Sequence, residues 1–577
     1  MDQIVECVPN FSEGKDPKVI EAISAAIRGV EGALLLDVDP GKATNRTVMT
    51  LVGNPDSVVE AAFQAIKIAG EFIDMRKQTG AHPRQGATDV CPFCPVRGIT
   101  MKECVALSKK LGKRVGEELG IPVYLYEYSA TRPARKLLPD IRAGEYEALS
   151  NKLGKAEWKP DFGPNEFNDR VKRTGVTVIG AREFLIAYNV NLNTAEKKYA
   201  SDIALQIRET GRFKRTPGPT PFYQDGELVK DEKGKKVREE GMFKNVKAVG
   251  WMIEEYGIAQ VSINLTNFNV TPPHKVFDAC VQLAEERGMR VTGSEIVGLM
   301  PLDALIMAGR HYLKKQYRSA GIPEKDLIHI AVKSMGLDDL APFDPDKKII
   351  EYQFKRKGAL VDLSTAAFAD EVSRDSMAPG GGSVAALAGA LGASLAGMVG
   401  NLTTGKREMF NVFDTMSELA DEAQEIKNGL LVAVDRDTDA FNEIIKAMRM
   451  PKATADEKKA RNEAIEEANQ FATTIPLETA RLCQEALRLA QTAALKGNPA
   501  SITDAGVAAQ MAKAGFEGAV FNVRINLNSV KSETFKKETM AKVKALSSEI
   551  ETLLNSVTER VEEVLNSPSD EDREGSE

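Results

Sequence analysis

The sequence predicts an α+β fold for the N-terminal half, in two α/β sandwich subdomains, followed by an all-α helical-bundle domain. Three observations predict this architecture. The chain has 577 residues, which is too long for a single core and indicates two to four domains. Apolar strand patterns, Gly/Pro turns and amphipathic helix patterns alternate as far as about Phe354. From about Ser364 onward the chain is rich in Ala, Glu, Lys and Leu, which is typical of a helical bundle.

Residues 1–181 form the first predicted subdomain. "IVECVPNF" is a strand pattern, "DPKVIEAISAAI" is an amphipathic helix, and "GALLLDVD" and "RTVMTLVG" are two further strands. "PDSVVEAAFQAIKIAGEFI" is the second helix, and a strand near "VYLYEYS" is expected to close the sheet. This β-α-β-β-α-β order indicates a ferredoxin-like sandwich rather than a doubly wound sheet.

Residues 182–354 form a second subdomain of the same ferredoxin-like kind. "FLIAYNVNL" is its first strand, and a helix follows from about Ala195. "GIAQVSINLTNF", "PPHKVFDACVQLAEERG" and "VTGSEIVGLMP" supply a strand, a helix and a final strand. Residues 212–241, between these parts, are rich in Pro, Gly and charge, which is typical of an exposed excursion.

The remaining chain divides into a linker at 355–363, a helical domain at 364–566 and a disordered acidic tail at 567–577, "SPSDEDREGSE". The most membrane-like run, "VAALAGALGASLAGMVG", is mostly Ala and Gly and is slightly short of a span. We therefore expect a buried helix and no transmembrane segment. Gly389, Ala393 and Gly397 follow a four-residue spacing, which predicts close packing against a neighbouring helix.

Composition narrows the functional class. The net charge of −7 argues against a nucleic-acid partner, because nucleic-acid-binding proteins are usually basic. The start, "MDQIVECVPNF", lacks the basic region and apolar run of a secretory signal. Six cysteines in so long a chain do not form a disulfide framework. A reduced, cytoplasmic setting is expected.

The stretch "AHPRQGATDVCPFC" offers two chemistries. Cys91 and Cys94 form a Cys-x-x-Cys pair, which in redox proteins opens a helix whose dipole lowers the thiol pKa. Pro92 and Pro95 leave no room for such a helix here, and two thiols alone do not complete a zinc site. We therefore interpret the two cysteines as semi-buried small residues beside a strand.

His82 lies in the same stretch, within the Gly- and Pro-punctuated loop "TGAHPRQGATD". Loops on a rigid scaffold commonly carry functional side chains, and imidazole titrates near neutral pH. Arg84 can hold an anionic substrate, and Asp37, Asp39 or Asp89 could orient the imidazole. On these grounds alone, a general base and a structural or solvated loop histidine both remain open.

Motifs along nearly the whole chain resemble two known families. "VECVPNFSEG", "LLLDVD", "TNRT", "GAHPRQGATDVCPF", "PVYLYEY", "IRAGEYEAL" and "DFGP" are similar to glutamate formiminotransferase. "APGGGSVAALAGALGASLAGMVG", "VDRDTDAF" and "FNVRINL" are similar to formimidoyltetrahydrofolate cyclodeaminase. In this order they resemble the bifunctional formimidoyltransferase-cyclodeaminase family. The chain departs from the family pattern in a longer 212–241 excursion and a few extra residues after Gly163.

The resemblance implies a folate enzyme of histidine degradation and one-carbon metabolism. It implies transfer of the formimino group of N-formimino-L-glutamate to tetrahydrofolate, giving L-glutamate. It then implies cyclisation of 5-formiminotetrahydrofolate to 5,10-methenyltetrahydrofolate with release of ammonia. Tetrahydrofolate, in polyglutamylated form, would be the co-substrate, with no metal, and the subunits would form a ring-shaped homo-octamer. A monofunctional formiminotransferase with a helical oligomerisation domain, and a non-catalytic folate-binding scaffold, remain the alternatives.

The resemblance also assigns residues in the transferase half. The family's general base falls on His82, and Asp39 is the candidate that fixes its tautomer, although Asp39 could equally be a strand-end residue that opens the turn "DPGK". The family's folate-binding loop falls on Gly163, Pro164, Asn165, Glu166, Phe167, Asn168, Asp169, Arg170, Val171, Lys172, Arg173, Thr174 and Gly175. In it, the basic side chains could meet carboxylates. The alternative is an exposed charged loop.

In the helical half, Gly380, Gly381, Gly382 and Ser383 open an apolar helix, where free backbone N–H groups favour an anion. The family's cyclodeaminase acid falls on Asp437.

Asp435, Asp437 and Asp439 alternate along one predicted helix, so consecutive members point about 200° apart and do not share one pocket. An apolar flank of Val432, Val434 and Phe441 could desolvate one of these carboxyls and raise its pKa. Without the resemblance, three solvated helix carboxylates would be the plainer interpretation.

Overall fold

A computed structural model of the chain describes residues 3–42, 44–80, 83–220, 222, 225–354, 358–375 and 378–567. The chain folds into two compact units, one of residues 1–305 with 335–355 and one of residues 306–334 with 356–577. Mixed sheets with helices make up the first unit, and long helices make up the second. The predicted α+β half followed by a helical domain is confirmed. The predicted acidic tail, from 568 onward, lies outside the described residues.

The first sheet has seven strands: β1 (Ile4–Cys7), β2 (Asn10–Phe11), β3 (Ala33–Gly41), β4 (Arg46–Gly53), β5 (Thr88–Arg97), β6 (Val123–Glu127) and β7 (Thr177–Ala181). β1 and β2 both pair antiparallel with β4 and with β5, and β3 pairs with β4. β7 and then β6 extend the sheet beyond β5 in parallel. The β-α-β-β-α-β core is therefore widened by a parallel pair of strands.

Helices of this subdomain are α1 (Pro17–Arg28), α2 (Pro55–Phe72), α3 (Met101–Glu118), α4 (Leu138–Arg142), α5 (Leu149–Lys152) and α6 (Asp169–Thr174). Side-chain caps explain where the first three begin. The side chain of Asp16 caps α1 and that of Asn54 caps α2, while Thr100 and Glu103 form a capping box at α3. Helices α1, α2 and α3 bury their apolar faces against one side of the sheet, in a core that includes Phe11 and Phe93.

The strand that closes the first β-α-β-β-α-β core differs from the prediction. The fourth strand is β5, which carries the Cys-x-x-Cys stretch, whereas the predicted strand near "VYLYEYS" is β6, the edge strand beyond β7. The sequence does not predict β5 because it contains Pro92 and Pro95. Proline lacks the N–H donor of a strand ladder, so its presence argues against a central strand.

The cysteines accordingly lie within the strand and are fully buried, not semi-buried beside it. Cys91 faces the helix side, where its Sγ lies 3.4 Å from Cys7 Sγ. Cys94, three positions along the strand, contacts Glu6, and burial raises the pKa of the Cys94 thiol well above its usual range. The two thiols point to opposite faces, so they do not form a Cys-x-x-Cys redox pair.

The second sheet has four antiparallel strands. The chain runs β8 (Ile186–Leu192), α7 (Lys197–Ile207), β9 (Arg212–Phe213), β10 (Arg238–Glu239), β11 (Val246–Ile253), β12 (Ile258–Leu265), α8 (Pro273–Glu285) and β13 (Val291–Val297). The sheet order is β11-β12-β8-β13. Without β9 and β10 the chain follows the predicted ferredoxin-like fold, but β11 was not among the strands identified from the sequence. The 212–241 excursion is not wholly irregular, because β9 and β10 pair at its base.

The remaining helices are α9 (Leu302–Lys315), α10 (Glu324–Met335), α11 (Pro345–Lys348), α12 (Thr365–Val372), α13 (Gly381–Thr404), α14 (Phe413–Met448), α15 (Ala455–Lys496), α16 (Ile502–Leu527) and α17 (Glu533–Leu565). Helices α13 to α17 share an Ala- and Leu-rich core. α15 begins at a capping box formed by Thr454 and Glu457.

Helix α13 lies in the middle of this bundle. By length and composition it is the one helix of the described residues that could cross a membrane, and most of its apolar window is buried inside the protein. A side chain at Gly389 would lie 2.4 Å from Cys483 Sγ, and one at Gly397 would lie 3.0 Å from Ala423 Cβ. The predicted role of these small residues in close helix packing is confirmed.

The turn between α9 and α10 packs against the same bundle at Gly321. Its carbonyl accepts hydrogen bonds from Asn401 Nδ2 at 2.7 Å and from Gln424 Nε2 at 3.2 Å. A Cβ atom at Gly321 would lie 2.4 Å from Ala420 Cβ, so only glycine fits there.

Candidate active sites

The first candidate site is built from the chain segments that precede and follow the predicted base in the sequence. Ala81 and His82 lie outside the described residues, and the segments on either side of them are described. Asn45 holds the segment before them: its Nδ2 donates to Thr79 O at 2.8 Å and to Gln78 Oε1, while its Oδ1 accepts from Gly14 N at 3.1 Å. A Cβ atom at Gly80 would lie 2.3 Å from Thr44 O, so the chain passes close to the β3–β4 turn. The motifs "SEG", "TNRT" and "QTG" therefore meet at the segment that ends at Gly80.

Arg84, in the segment after His82, is not free to bind an anion as the sequence predicts. Its guanidinium pairs with Glu145 at 3.1 Å and with Glu147 at 2.9 Å, and it donates to Gln78 O at 2.7 Å. A substrate carboxylate would have to displace these partners. In this structure the contacts of Arg84 instead hold the segment that follows His82 in the chain.

Three carboxylates were candidates to orient the imidazole, and the structure separates them. Asp89 is buried, accepts from Gln85 N at 3.0 Å and is paired with Arg142, so both of its oxygens are engaged. Asp37 and Asp39 are exposed on the edge strand β3. Asp39 lies within the strand opposite Val48, and the strand continues to Gly41, so Asp39 is not the strand-end residue of the alternative interpretation.

A set of buried polar side chains on β2, on β5 and just before β5 was missed by sequence reasoning. Gln85 is fully buried, and neither atom of its amide has a partner among the described residues. The same holds for Asn10 Oδ1 and Thr88 Oγ1, on the neighbouring strands β2 and β5. Leaving a buried polar atom without a partner costs about 1–3 kcal/mol, so such atoms are typical of ligand or water sites. The adjacent letters "RQGATD" were the only signal in the sequence.

The 163–175 segment is a turn followed by the short helix α6, rather than a loop throughout. Gly163 has φ +83°, and a side chain there would meet Ile121 O at 2.6 Å. Asn168 caps α6 through its side chain, which accepts from Val171 N at 3.0 Å. Gly175, also at positive φ, ends it.

The basic residues of this segment have partners inside the protein. Arg170 donates to Leu119 O at 3.1 Å and to Gly70 O at 3.4 Å, and Arg173 donates to Glu71 O. These carbonyls belong to the C-terminal turns of α2 and α3, which lack intrahelical partners. Only Lys172, paired with Asp169 at 2.8 Å, projects to the surface as an exposed charged residue would.

The second candidate site lies at the N-terminus of α13. Gly380 is the N-cap residue, and Gly381 and Gly382 form the first turn. Here a cavity of about 140 Å³ is lined by Ala378, Gly380, Gly381, Gly382, Asp437, Thr438, Phe441, Ile444, Ala472, Asn522 and Asn526. Ser383 is not among the lining residues, and its hydroxyl donates to Val434 O at 2.8 Å.

Asp437 is placed directly over the glycines. A Cβ atom at Gly382 would lie 2.2–2.5 Å from the Asp437 carboxylate, so glycine is what allows this approach. Burial raises the pKa of Asp437 above its usual value, and hydrogen bonds from Ser383 oppose that shift. The raised pKa favours the protonated form, which can deliver a proton.

The neighbouring carboxylates diverge as the helix geometry predicts. Asp435 accepts from Leu360 N at 2.8 Å and Val361 N at 3.4 Å, and so anchors the chain entering the helical domain. Asp439 is exposed. Of the predicted apolar flank, Val434 is buried and Phe441 lines the cavity, but Val432 is 56% exposed and does not contribute.

Asn522 and Asn526 also line the cavity and were not singled out from the sequence. They lie four residues apart on α16, within the motif "FNVRINL", so they share one helix face. Among the described residues, no group of three His, Cys, Asp or Glu side chains could hold a metal ion.

Comparison with known protein families identifies three matching regions. "Formiminotransferase domain, N-terminal subdomain" matches residues 4–182. "Formiminotransferase domain" matches residues 187–355, and "Formiminotransferase-cyclodeaminase" matches residues 364–545.

Individual relatives cover the same regions. Over 555 residues the chain is 45% identical to formimidoyltransferase-cyclodeaminase from Rattus norvegicus, which covers 96% of this chain and 97% of the rat protein. Glutamate formimidoyltransferase from Streptococcus pyogenes is 42% identical over 314 residues, covering 54% of this chain and 94% of that protein. Methenyltetrahydrofolate cyclohydrolase from Methylorubrum extorquens is 35% identical over 199 residues, covering 34% of this chain and 96% of that protein.

Proposed function

Because the chain belongs to the formimidoyltransferase-cyclodeaminase family, we propose that its two halves catalyse consecutive reactions of folate metabolism. The first half transfers the formimino group from N-formimino-L-glutamate to tetrahydrofolate and releases L-glutamate. The helical half cyclises 5-formiminotetrahydrofolate to 5,10-methenyltetrahydrofolate and releases ammonia. These reactions belong to the degradation of histidine.

His82 serves as the general base of the transfer. N5 of tetrahydrofolate attacks the formimino carbon, and its proton passes to the imidazole of His82. The C–N bond to glutamate then breaks, and the glutamate nitrogen takes up a proton. The hydrogen bonds from Asn45 and the ion pairs of Arg84 support this role, because they fix the backbone on both sides of the histidine.

Asp39 orients the imidazole of His82. The engagement of Asp89 by Gln85 and Arg142 supports this choice, since it removes one competing carboxylate. Asp37, on the same strand, is the remaining competitor.

The 163–175 segment binds the folate. Because its arginines cap α2 and α3, the contacts to folate come from backbone groups near Gly163 and from Lys172. Gln85 and Thr88, close to the loop in the chain, and Asn10, on the strand β2 that pairs with β5, supply unpartnered polar atoms, which is consistent with a bound polar substrate.

Asp437 serves as the acid of the cyclisation. N10 attacks the formimino carbon, its proton passes to the formimino nitrogen, and the C–N bond to that nitrogen then breaks. That nitrogen leaves as ammonia after it takes a proton from the Asp437 carboxyl. The position of Asp437 over Gly382, with its raised pKa, is the observation that carries this assignment.

The domain division that accompanies this function is 1–181 and 182–354 for the transferase, 355–363 for the linker, 364–566 for the cyclodeaminase and 567–577 for the tail. The three matched family ranges support it. We further propose a cytoplasmic ring-shaped homo-octamer without a metal, with α13 as a bundle core helix, acting on polyglutamylated folate.

Two separate assays test the function. Purified protein incubated with N-formimino-L-glutamate and tetrahydrofolate should release glutamate. Protein supplied with 5-formiminotetrahydrofolate should release ammonia as methenyl-folate absorbance appears. Glutamate without ammonia would indicate a monofunctional transferase, and folate binding without either product would indicate a scaffold. Consumption of supplied methenyltetrahydrofolate would favour the hydrolytic reaction named for the M. extorquens relative.

A further inference from the structure

The cavity beside Asp437 contains two amide groups whose orientation is fixed. Asn522 Nδ2 donates to Gly518 O at 2.8 Å, and Asn526 Nδ2 donates to Ala472 O at 2.9 Å. Backbone carbonyl oxygens only accept hydrogen bonds, so each asparagine must present its NH₂ group to the protein. The oxygen of each amide is therefore turned away from that carbonyl. Among the described residues, neither oxygen accepts a hydrogen bond.

Both asparagines lie next to the proposed acid. A Cβ atom at Gly381 would lie 3.4 Å from Asn522 Nδ2, and one at the next residue, Gly382, would lie 2.2 Å from Asp437 Oδ1. The amide and the carboxyl thus sit over neighbouring glycines, in the cavity that Asn526 also lines. The residues that line the cavity thus include two amides whose oxygens accept no hydrogen bond from the described residues and one carboxyl group.

Such a set of acceptors favours a ligand with several N–H donors and a positive charge. The formimino group of 5-formiminotetrahydrofolate becomes such a donor on protonation, because its nitrogen then carries two N–H bonds and shares a cationic charge. The tetrahedral adduct formed by N10 attack also carries an NH₂ group. Amide oxygens accept from these N–H groups without titrating, so they do not compete with Asp437 for the proton.

We propose that Asn522 and Asn526 bind the formimino nitrogen of the substrate through their Oδ1 atoms and hold it for protonation by Asp437. N10 forms the new bond to the formimino carbon, and the N10 proton passes to the formimino nitrogen, which becomes the NH₂ group of the adduct. The bond from that carbon to the held nitrogen breaks with its electron pair on nitrogen, which takes the Asp437 proton and leaves as ammonia. This inference rests on the proposed cyclodeaminase function.

The test uses the full-length protein, supplied 5-formiminotetrahydrofolate, and formamidinium as a small cationic probe of the amidine end. Wild type should be inhibited by formamidinium in competition with the substrate. Asn522→Ala and Asn526→Ala should each lower kcat/KM by about 10- to 100-fold, as expected for a hydrogen bond to a charged group. Each should also weaken formamidinium inhibition by a similar factor.

Asn522→Asp keeps an oxygen acceptor, loses the N–H bond to Gly518 and adds an ionisable carboxyl, which also attracts a cation, so it should remain inhibited by formamidinium. Asn442→Ala is the matched control, because Asn442 is exposed on α14 and does not line the cavity. It should behave as wild type in both measurements. Asn526→Ala loses the hydrogen bond to Ala472 and could fail to fold. In that case the comparison of Asn522→Ala with Asn522→Asp tests the proposal.

The inference is overturned if formamidinium does not inhibit wild type, or if Asn522→Ala binds formamidinium as tightly as Asn442→Ala. Asp437→Asn separates this failure from failure of the function. If Asp437→Asn still releases ammonia at the wild-type rate, the proposed acid is wrong. If it does not, and the asparagine variants remain fully active, only the asparagine assignment fails.

Discussion

The chain around His82 is held from outside, whereas Asp437 is held by the helix that carries it. Asn45, Glu145 and Glu147, all distant in sequence, fix the segments before and after His82. Asp437 owes its direction to its place in α14 and its raised pKa to burial over the first turn of α13. The geometry of a site in a loop therefore depends on partners that are distant in sequence. The direction of a side chain on a helix depends on its position along that helix. Substitutions should reveal this difference.

The largest expected effect is that of His82→Ala. Removing a general base commonly costs about 10²–10⁴-fold, so release of glutamate should fall by that factor. Cyclisation of supplied 5-formiminotetrahydrofolate should continue, because its acid lies in the other half of the chain. A variant with full transferase activity would contradict the assignment.

Asp437→Asn should give the converse result. The substitution keeps the shape of the side chain and removes the titrating proton, so ammonia release should fall by about 10²–10³-fold while transfer continues. 5-Formiminotetrahydrofolate should accumulate. Asp439→Asn is the clean control because Asp439 is exposed, whereas Asp435→Asn also weakens the anchoring of residues 360 and 361.

The pH dependence of cyclisation tests the same carboxyl. Burial raises the pKa of Asp437, and only the protonated form can act as the acid. In wild type the rate of ammonia release should therefore be maximal at pH values below that pKa. The rate should fall as pH rises through it. In Asp437→Asn this dependence should disappear. A pH profile that is identical in both proteins would assign the acid to another group.

Asn45→Ala tests whether the loop site depends on distant support. The substitution removes hydrogen bonds to Gly14, Gln78 and Thr79 but leaves His82 in place. Displacement of the base should lower glutamate release by about 10-fold, with little change in ammonia release. Equal loss of both activities would mean that the whole chain had been destabilised, and thermal unfolding would show it.

The smallest effect on activity is expected from Cys91→Ser combined with Cys94→Ser. Both thiols are buried and face opposite sides of β5, so both reactions should stay within about twofold of wild type and be insensitive to reductant. Stability should fall by about 1–3 kcal/mol, because a hydroxyl is harder to bury than a thiol. Dependence of wild-type turnover on reduced thiols would restore a redox role.

Much of the helical half could be predicted from the sequence because helix geometry is regular. An α-helix turns by 100° per residue, so the side chains of Asp435, Asp437 and Asp439 diverge as predicted. The close packing at Gly389 follows from the four-residue spacing of small residues along α13. The place of Asn522 beside Asp437 could not be predicted, since it depends on how α16 lies against α13 and α14.

The transferase half could be predicted less completely. The second sheet has the expected strand order, but β5 carries two prolines, and its sequence argues against the central strand that it forms. The arginines of the 163–175 segment suggested carboxylate binding, yet Arg170 and Arg173 reach carbonyls about 50 to 100 residues away in sequence. A flexible side chain with several donors has too many possible partners for local pattern to choose among them.

The turn at Gly321 has a consequence for any attempt to divide the chain into two monofunctional fragments. A cut within residues 355–363 leaves that turn on the N-terminal piece, although its carbonyl receives the side-chain amides of Asn401 and Gln424 from the C-terminal piece. The N-terminal fragment would then expose a glycine surface shaped for Ala420, and the C-terminal fragment would carry two unsatisfied amides. Co-expression of the two fragments should therefore yield more soluble protein than expression of either fragment alone. A split that moves residues 306–334 with the helices would need segments joined that are not consecutive in the chain.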